Sequence, residues 1–400
     1  MQKQQQTSNG VKKIVIFSLA YFPRPVGGAE VAIKEITDRI ADIEFHVVTQ
    51  RFDASLSREE KLGNVFVHRI GDGASYVAKM LFVWRAARTA ARLHRVHHFD
   101  AAWAMMSYMA LPIMVARVFG FRVPYALTLQ DGDPFEHVFK RLRILPFLPL
   151  LKKGFKQATV VQTISTYLAG WAGRMGYAGE VEVIPNGVNA AHFSQEFPAA
   201  VTNEIKDTLQ KNMGDVFLVT TSRLVHKNAV DVVIRSLPLL PANIRFVVLG
   251  TGPDEAMLRA LAKKQRVTER VHFVGHIEHE DLPKYLHVAD IFIRPSRSEG
   301  MGISFIEAFA AGIPVIATQE GGLADFLFDE KRNPDKPITG WAVDVGSPEQ
   351  IATAVKEIVS RSEKVRAVIA TARQIAVEKY DWDLIARDMR EKVFARVFTA

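Results

Sequence analysis

Two glutamates stand eight residues apart in a stretch of small and flexible residues, Arg294-Pro295-Ser296-Arg297-Ser298-Glu299-Gly300-Met301-Gly302, followed by Ile303 to Ala311 with Glu307 inside it. On one continuous helix that spacing would set the two carboxylates about 80° apart around the axis. With Glu299 on a loop and Glu307 in the first turns of a helix stopped by Gly312 and Pro314, both reach one ligand instead. Gly300 and Gly302 let backbone approach closely, and the amides of a helix N-terminus suit an anion. Ser304-Phe305-Ile306-Glu307 also fits a capping box, which would make Glu307 a helix-start residue only. Spacing alone does not choose between the two roles.

A second pair of charges has the opposite sign. In Val219-Thr220-Thr221-Ser222-Arg223-Leu224-Val225-His226-Lys227 a strand ends and two cations emerge before a helix near Asn228. The helix macrodipole disfavours cations there unless an anion lies between them, and a diphosphate is such an anion. A solvated basic loop is the plainer alternative. Gly250-Thr251-Gly252-Pro253-Asp254 and Gly27-Gly28-Ala29-Glu30 each follow a strand with permissive backbone. Neither is the six-residue dinucleotide fingerprint, so a nicotinamide enzyme is poorly supported. The chain has no cysteine, which excludes disulfides, thiolate metal sites and a cysteine nucleophile.

These loops need elements to position them. Four hundred residues is more than one core comfortably holds, and 48% hydrophobic with 24% charged residues is ordinary for a globular enzyme. Apolar runs at Lys12–Phe17, Glu44–Thr49, Ala101–Met105, Tyr125–Leu129, Ala158–Val161 and Val181–Ile184 predict strands, with helical periodicity at Ala29–Ile40, Val77–Val96 and Tyr108–Phe119 between them. The pattern breaks after Pro185-Asn186-Gly187 and restarts at Val216–Thr221, Ile244–Leu249, Val271–Phe273, Ile291–Ile293 and Pro314–Ala317. Alternating strands and helices imply an α/β protein of two doubly wound parallel sheets. The expected domains are 1–190 and 191–381, with the last helix, about 382–400, crossing back to the first. Ligands in such sheets sit beyond the carboxyl ends of the strands, here in a cleft between the halves.

Taken in order, the loops resemble the retaining glycosyltransferases of family 4 (group 1), which have the GT-B fold. The matching residues are Gly27-Gly28-Ala29-Glu30, Ile184-Pro185-Asn186-Gly187-Val188, Ser222-Arg223-Leu224 with Lys227, Leu249-Gly250-Thr251-Gly252-Pro253 and Val271-His272-Phe273-Val274-Gly275. Ala289-Asp290-Ile291-Phe292-Ile293-Arg294-Pro295-Ser296, Glu299-Gly300-Met301-Gly302, Glu307-Ala308, Gly312-Ile313-Pro314 and Gly321-Gly322 complete the set. The resemblance implies that 1–190 is the acceptor-side domain and 191–381 the nucleotide-sugar domain. It implies that Glu307 binds the ribose, that Glu299 with Gly300, Met301 and Gly302 holds the donor sugar, and that Arg223 and Lys227 meet the diphosphate. Gly28, Gly250 and Gly252 join the donor site, and Arg223, Lys227 and Glu299 carry catalysis. Where the family often has histidine then aspartate, this chain has Gln130-Asp131, which become acceptor-side candidates. Asn228 replaces a common glycine, and the spacing from Arg223 to Lys227 is one residue short. The implied reaction moves a sugar from a nucleotide-diphosphate sugar to a hydroxyl on a glycan or lipid-linked acceptor, with retention and without a metal or cofactor. A 2-epimerase of the same fold is the enzyme alternative. A catalytically silent sugar-nucleotide-binding protein is the other.

Two metal-like patterns are discounted. Asp131-Gly132-Asp133 has the D-x-D form but leads into Pro134 as a helix start, and His276, Glu278, His279, Glu280 and Asp281 lack helical zinc spacing and suit a solvated loop. The net charge of +8 favours anionic partners. Arg85, Arg88, Arg92 and Arg95 share a helix face, with Met80, Trp84, Ala87 and Ala91 on another. Lys140, Arg141, Arg143, Lys152, Lys153 and Lys156 flank Ile144–Leu151. Both segments suit an anionic membrane surface, or a core with a solvated rim. Nucleic acid is not expected, since the cations and aromatics do not follow the pattern of a recognisable nucleic-acid-binding module. The N-terminus lacks a signal-peptide run, and Ala101–Ala116 falls short of the roughly 20 apolar residues a spanning helix needs. The expected location is the cytoplasm, at the inner face of the membrane if that surface binds.

Overall fold

A computed structural model describes residues 10–23, 26–360 and 363–400; the polar opening segment 1–9 and Pro25 of the first glycine loop lie outside the described residues. The chain divides into two compact units, Met1–Asn186 with Trp382–Ala400, and Gly187–Asp381.

The first unit is built on an eight-stranded sheet: β1 (Lys12–Phe17), β2 (Ile43–Gln50), β3 (Glu59–Leu62), β4 (Val65–Ile70), β5 (Ala101–Met105), β6 (Tyr125–Leu129), β7 (Val160–Thr163) and β8 (Val181–Val183). The order is β3-β4-β2-β1-β5-β6-β7-β8, parallel except for β3 against β4. The central strands are nearly wholly buried, as continuous apolar runs require when helices cover both faces. Helix α1 (Gly28–Arg39) starts where the Glu30 carboxylate accepts the Gly27 N–H at 2.7 Å. Helix α2 (Tyr76–His97) is capped by Ser75, whose Oγ accepts the Ala78 N–H at 3.1 Å. The terminal segment returns to this unit: Trp382, Met389, Val393 and Phe394 enter the core with Ile33, Phe45 and Trp103. Arg390 forks onto the Asp42 carboxylate, and Arg39 pairs with Asp383 at 2.6 Å.

The second unit has six parallel strands, β9 (Val216–Thr221), β10 (Ile244–Leu249), β11 (Val271–Gly275), β12 (Ile291–Arg294), β13 (Val315–Ala317) and β14 (Trp341–Ala342), in the order β11-β10-β9-β12-β13-β14. Helix α3 (Val230–Ser236) follows the loop after β9, and α4 (Ile303–Ala311) follows the loop after β12. The chain runs outward from β9 through β10 to β11, then returns to β12 on the other side of β9. Strand order therefore reverses between β9 and β12, and the loops after these two strands open the crevice where such sheets bind ligands.

Three local expectations change. Tyr108–Phe119 is not one helix but a helix at Ala110–Ala116 between two 3₁₀ turns. The seventh strand lies two residues later than Ala158–Val161. Two strands, β3 and β4, occupy a region the apolar pattern left blank, because β3 is a charged edge strand with only alternate residues half buried.

Candidate functional site

The switch point in the second unit gathers the two sequence clusters. The loop after β12 is fastened to the loop after β9 by two arginines that the sequence reading gave no role. Arg294 is 6% exposed and donates from Nη1 to the Thr221 carbonyl at 3.0 Å and from Nη2 to Glu299 Oε2 at 2.8 Å, with its guanidinium 4.3 Å over the Phe305 ring. Burial pulls its pKa below the usual arginine value, while Glu299 and Glu307 hold it up. Arg297 donates its backbone N–H to the Lys227 carbonyl at 2.7 Å, reaches the His226 carbonyl at 2.6 Å, and forks onto Asp231 in the first turn of α3 at 2.8 and 2.9 Å. The segment carrying Arg223 and Lys227 is thus held from one side by the segment carrying Glu299. Arg223 itself is exposed and Lys227 half buried. Asn228, in place of glycine, donates its side-chain amide to the Arg223 carbonyl at 2.7 Å and closes the turn from within.

Gly250 and Gly252 hold the other side. At Gly250, φ is +134°, and a Cβ there would fall 2.0 Å from the Ser222 carbonyl oxygen. At Gly252 it would fall 2.2 Å from the Leu224 carbonyl oxygen. The two backbones exchange bonds here, Leu224 N–H to Thr251 at 2.9 Å and Asp254 N–H to Leu224 at 3.1 Å. The glycines therefore let two loops touch, a reason for glycine that spacing alone did not supply. Pro253 lies just before the following helix, Glu255–Lys264, not at its first position.

Glu299 also accepts the Gly300 N–H at 3.2 Å, and its own carbonyl accepts the Gly322 N–H at 3.0 Å. Gly302, at φ +89°, is the N-cap residue of α4; a Cβ there would strike the Phe305 ring. The capping-box alternative for Glu307 is thereby corrected. Ser304 lies inside the helix, its hydroxyl is buried without a hydrogen-bond partner, and the turn starts on a left-handed glycine. Glu307 is 5% exposed, and its Oε1 lies 2.8 Å from Nε2 of the half-exposed His279, which also meets the Phe193 ring edge-on. His279 is therefore more than part of a solvated loop. Met301 is buried, so only its backbone is offered to a ligand.

Buried polar atoms without protein partners collect around this point: the hydroxyls of Thr220, Thr221, Ser222, Ser296 and Ser304, and Nε of Arg294. Buried polar groups are normally satisfied, so their concentration at the carboxyl ends of β9 and β12 marks where a polar ligand would be received. Two exposed or half-buried cations, one carboxylate held by a buried arginine and another by a histidine, and donor-rich backbone can bind an anionic, hydroxyl-rich molecule.

In the first unit, Gly28 opens α1 just beyond β1. Gln130 and Asn186 exchange two amide bonds of 3.1 and 3.0 Å, so Gln130 steadies the Pro185-Asn186-Gly187 turn. Asp131 is 4% exposed and accepts the Ser107 hydroxyl at 2.5 Å. Burial pushes its carboxyl above the usual range, against the pull of the Ser107 bonds. Asp133 faces His137 at 3.8 Å. Among the described residues the side-chain cluster spaced to hold a metal is Glu44, His46 and His97, not the D-x-D triplet.

Two family models match the chain, Glycosyltransferase Family 4 over residues 26–192 and Glycosyl transferases group 1 over residues 201–375. A GDP-mannose-dependent alpha-(1-6)-phosphatidylinositol monomannoside mannosyltransferase of Mycobacterium tuberculosis is 31% identical over 244 residues, 58% of this chain and 60% of that protein. The chain thus spans about three fifths of that relative's length. Sucrose-phosphate synthase from Thermosynechococcus elongatus superposes with a TM-score of 0.83 at 19% identity, covering 97% of this chain and 99% of its own. HepE of Anabaena, solved with UDP and glucose, gives 0.77 at 19% identity, covering 96% and 100%. At these identities the two structures speak for the fold.

Proposed function

Because the chain belongs to the group 1, family 4 glycosyltransferases, with the GT-B fold, we propose that it transfers a hexosyl group from a nucleotide-diphosphate sugar to an acceptor hydroxyl with retention. The observation that carries this reading is the fastening of the Arg223–Lys227 segment to Glu299 through Arg294 and Arg297 at the switch point. Departure of an anionic nucleoside diphosphate is the difficult step. Cations already held in place stabilise the developing charge without reorganising. In this reading Arg223 and Lys227 meet the diphosphate, Glu299 and the amides of Gly300 to Gly302 hold the sugar, and Glu307 receives the ribose hydroxyls on the oxygen that His279 does not occupy. In this reading no metal is needed for transfer.

The test is a thermal-shift series with UDP-, GDP- and ADP-sugars, followed by product analysis with and without acceptor. Glu307→Ala removes charge-assisted hydrogen bonds worth about 1.5–3 kcal/mol, so donor affinity is expected to fall roughly 10- to 150-fold in a folded variant. Unchanged affinity would remove Glu307 from the site.

A lipid-linked or membrane-associated acceptor is the finer reading. Its support is the phosphatidylinositol mannoside acceptor in the name of the mycobacterial relative, together with the surface of the first unit. Arg85, Arg88, Arg92 and Arg95 line one cavity of about 740 Å³ with Arg58 and Arg69. Tyr76, Val77, Leu81 and Trp84 are exposed on the same helix, and Leu142 and Leu145 on the basic segment, where Arg143 lies over the Tyr76 ring at 5.2 Å. Cations beside exposed apolar side chains suit an anionic bilayer surface. No helix of the described residues is long and apolar enough to cross a membrane. Sedimentation with anionic vesicles should be lost on reversing Lys152 and Lys153 to Glu; no binding at low salt would end the idea.

A further inference from the structure

On the first unit's sheet four polar side chains form a row that begins at the amino-terminal end of β2 and runs along β4 to β3. Glu44 Oε1 lies 2.9 Å from His46 Nε2, His46 Nδ1 lies 3.0 Å from His68 Nε2, and His68 Nδ1 lies 3.5 Å from Glu59 Oε1. Glu44 and His46 are two apart on β2 and so share one face of the sheet. His97, in the last turn of α2, brings its ring to 4.4 Å from that of His46.

His46 and His68 share one proton between Nδ1 and Nε2, and His68 Nδ1 has no hydrogen-bond partner. With that proton on His46 Nδ1, the lone pair of His46 Nε2 faces Glu44 and is free to bind a cation held between them. An imidazole ligand whose second nitrogen donates to a hydrogen-bonded partner is the usual outer support of a metal site.

We propose that Glu44, His46 and His97 bind one divalent transition-metal ion of the zinc class, with solvent completing the coordination. One ligand atom from each of the three lies within 4.8 Å of the others. A tetrahedral ion with bonds of roughly 2.0–2.1 Å spaces its ligand atoms about 3.4 Å apart, so small side-chain rotations close the site. Imidazole and carboxylate are the ligand types such an ion prefers. Lys13 Nζ stands 3.1 Å from the same Glu44 oxygen and must move to the other one. Two ligands on a central strand and one on the helix crossing it make the ion a staple between β2 and α2, remote within this unit from the carboxyl-end loops and hence structural.

The test uses the untagged full chain stripped with chelator and titrated with Co²⁺, read by its visible absorption and by displacement with Zn²⁺. Saturable uptake of one ion per chain is expected, with a raised thermal midpoint. His97→Ala and Glu44→Gln should each weaken uptake at least tenfold while far-UV circular dichroism stays that of the wild type. His98→Asn, on the neighbouring exposed histidine, should bind as the wild type does. No saturable uptake, or His97→Ala binding with unchanged affinity, would overturn the site. So would a loss in His98→Asn that matches the loss in His97→Ala.

Discussion

Gly252→Ala gives the cleanest access to the link between the two loops of the second unit. The new Cβ would sit 2.2 Å from the Leu224 carbonyl oxygen and 2.6 Å from its nitrogen, where real contacts stay above 3.0 Å. The gap must therefore open by at least 0.8 Å (3.0 less 2.2), and both parties are backbone, so no flexible side chain can absorb it. Overpacking of this kind costs about 1–3 kcal/mol of stability. The functional cost should be larger, because the displaced segment carries Arg223 and Lys227. A misplacement near 1 Å can lower a rate roughly 100-fold. The assay is donor titration by calorimetry with initial-rate kinetics, run well below the variant's melting temperature. Donor affinity and kcat/KM are expected to fall roughly 10- to 100-fold together. Gly170→Ala, within a helix and with no atom inside 4 Å of the added carbon, is the control. It should keep donor affinity and gain about 0.5–1 kcal/mol. A folded Gly252→Ala with wild-type affinity and turnover would refute the reasoning, since the cations would then not depend on that contact.

Arg294→Ala leaves Glu299 largely buried without its partner and should cost about 3–5 kcal/mol by chemical denaturation; Arg294→Lys should recover only part, because one ammonium cannot serve Thr221 and Glu299 in the same fork. Asp131 has a raised folded-state pKa, so the folded state binds its proton more tightly than the unfolded chain does. Its ionisation therefore subtracts stability as pH rises from the ordinary carboxylate value through the raised one. Asp131→Asn should melt higher than the wild type at neutral pH, with the difference shrinking as pH falls into the carboxylate range. A lower melting point at neutral pH would mean that its hydrogen bonds outweigh its burial. His279→Ala should leave the fold intact and change donor affinity through Glu307 alone, an effect absent in the double variant with Glu307→Ala.

The strands most legible in the sequence were those buried on both faces, such as Val216–Thr221 and Ile291–Ile293, where a short apolar run is unbroken. β3 and β4 were not legible: Glu-Glu-Lys-Leu has no apolar run, and the sixth strand position of Val65–Ile70 follows His68 and Arg69. At the site, Glu299 stood out beside glycine on the loop after a strand, Glu307 by its spacing of eight from Glu299, and Arg223 and Lys227 as two cations ahead of a helix start. Arg294 and Arg297 stand in the same stretch, 294–302, but had no role, since what sets them apart is burial and a carbonyl partner on a distant segment. The one available signal was a charged residue closing an otherwise apolar strand, Ile291-Phe292-Ile293-Arg294. His279 was legible only as part of a charged loop, because its distance from Glu307 is set by the fold and not by their separation of 28 in sequence.

The return of residues 382–400 to the first unit has a consequence for the order in which the protein is made. The second unit has all of its chain once Asp381 is synthesised, and its two ends already meet, Val188 donating to the Tyr380 carbonyl at 2.6 Å. The first unit, although most of it is translated earlier, cannot fill its core until Trp382, Met389, Val393 and Phe394 leave the ribosome. Units generally fold as they emerge, with exposed apolar surface a hazard in the interval. Here the earlier part waits through the synthesis of an entire inserted domain, so truncation near the end should strike the unit that begins the chain.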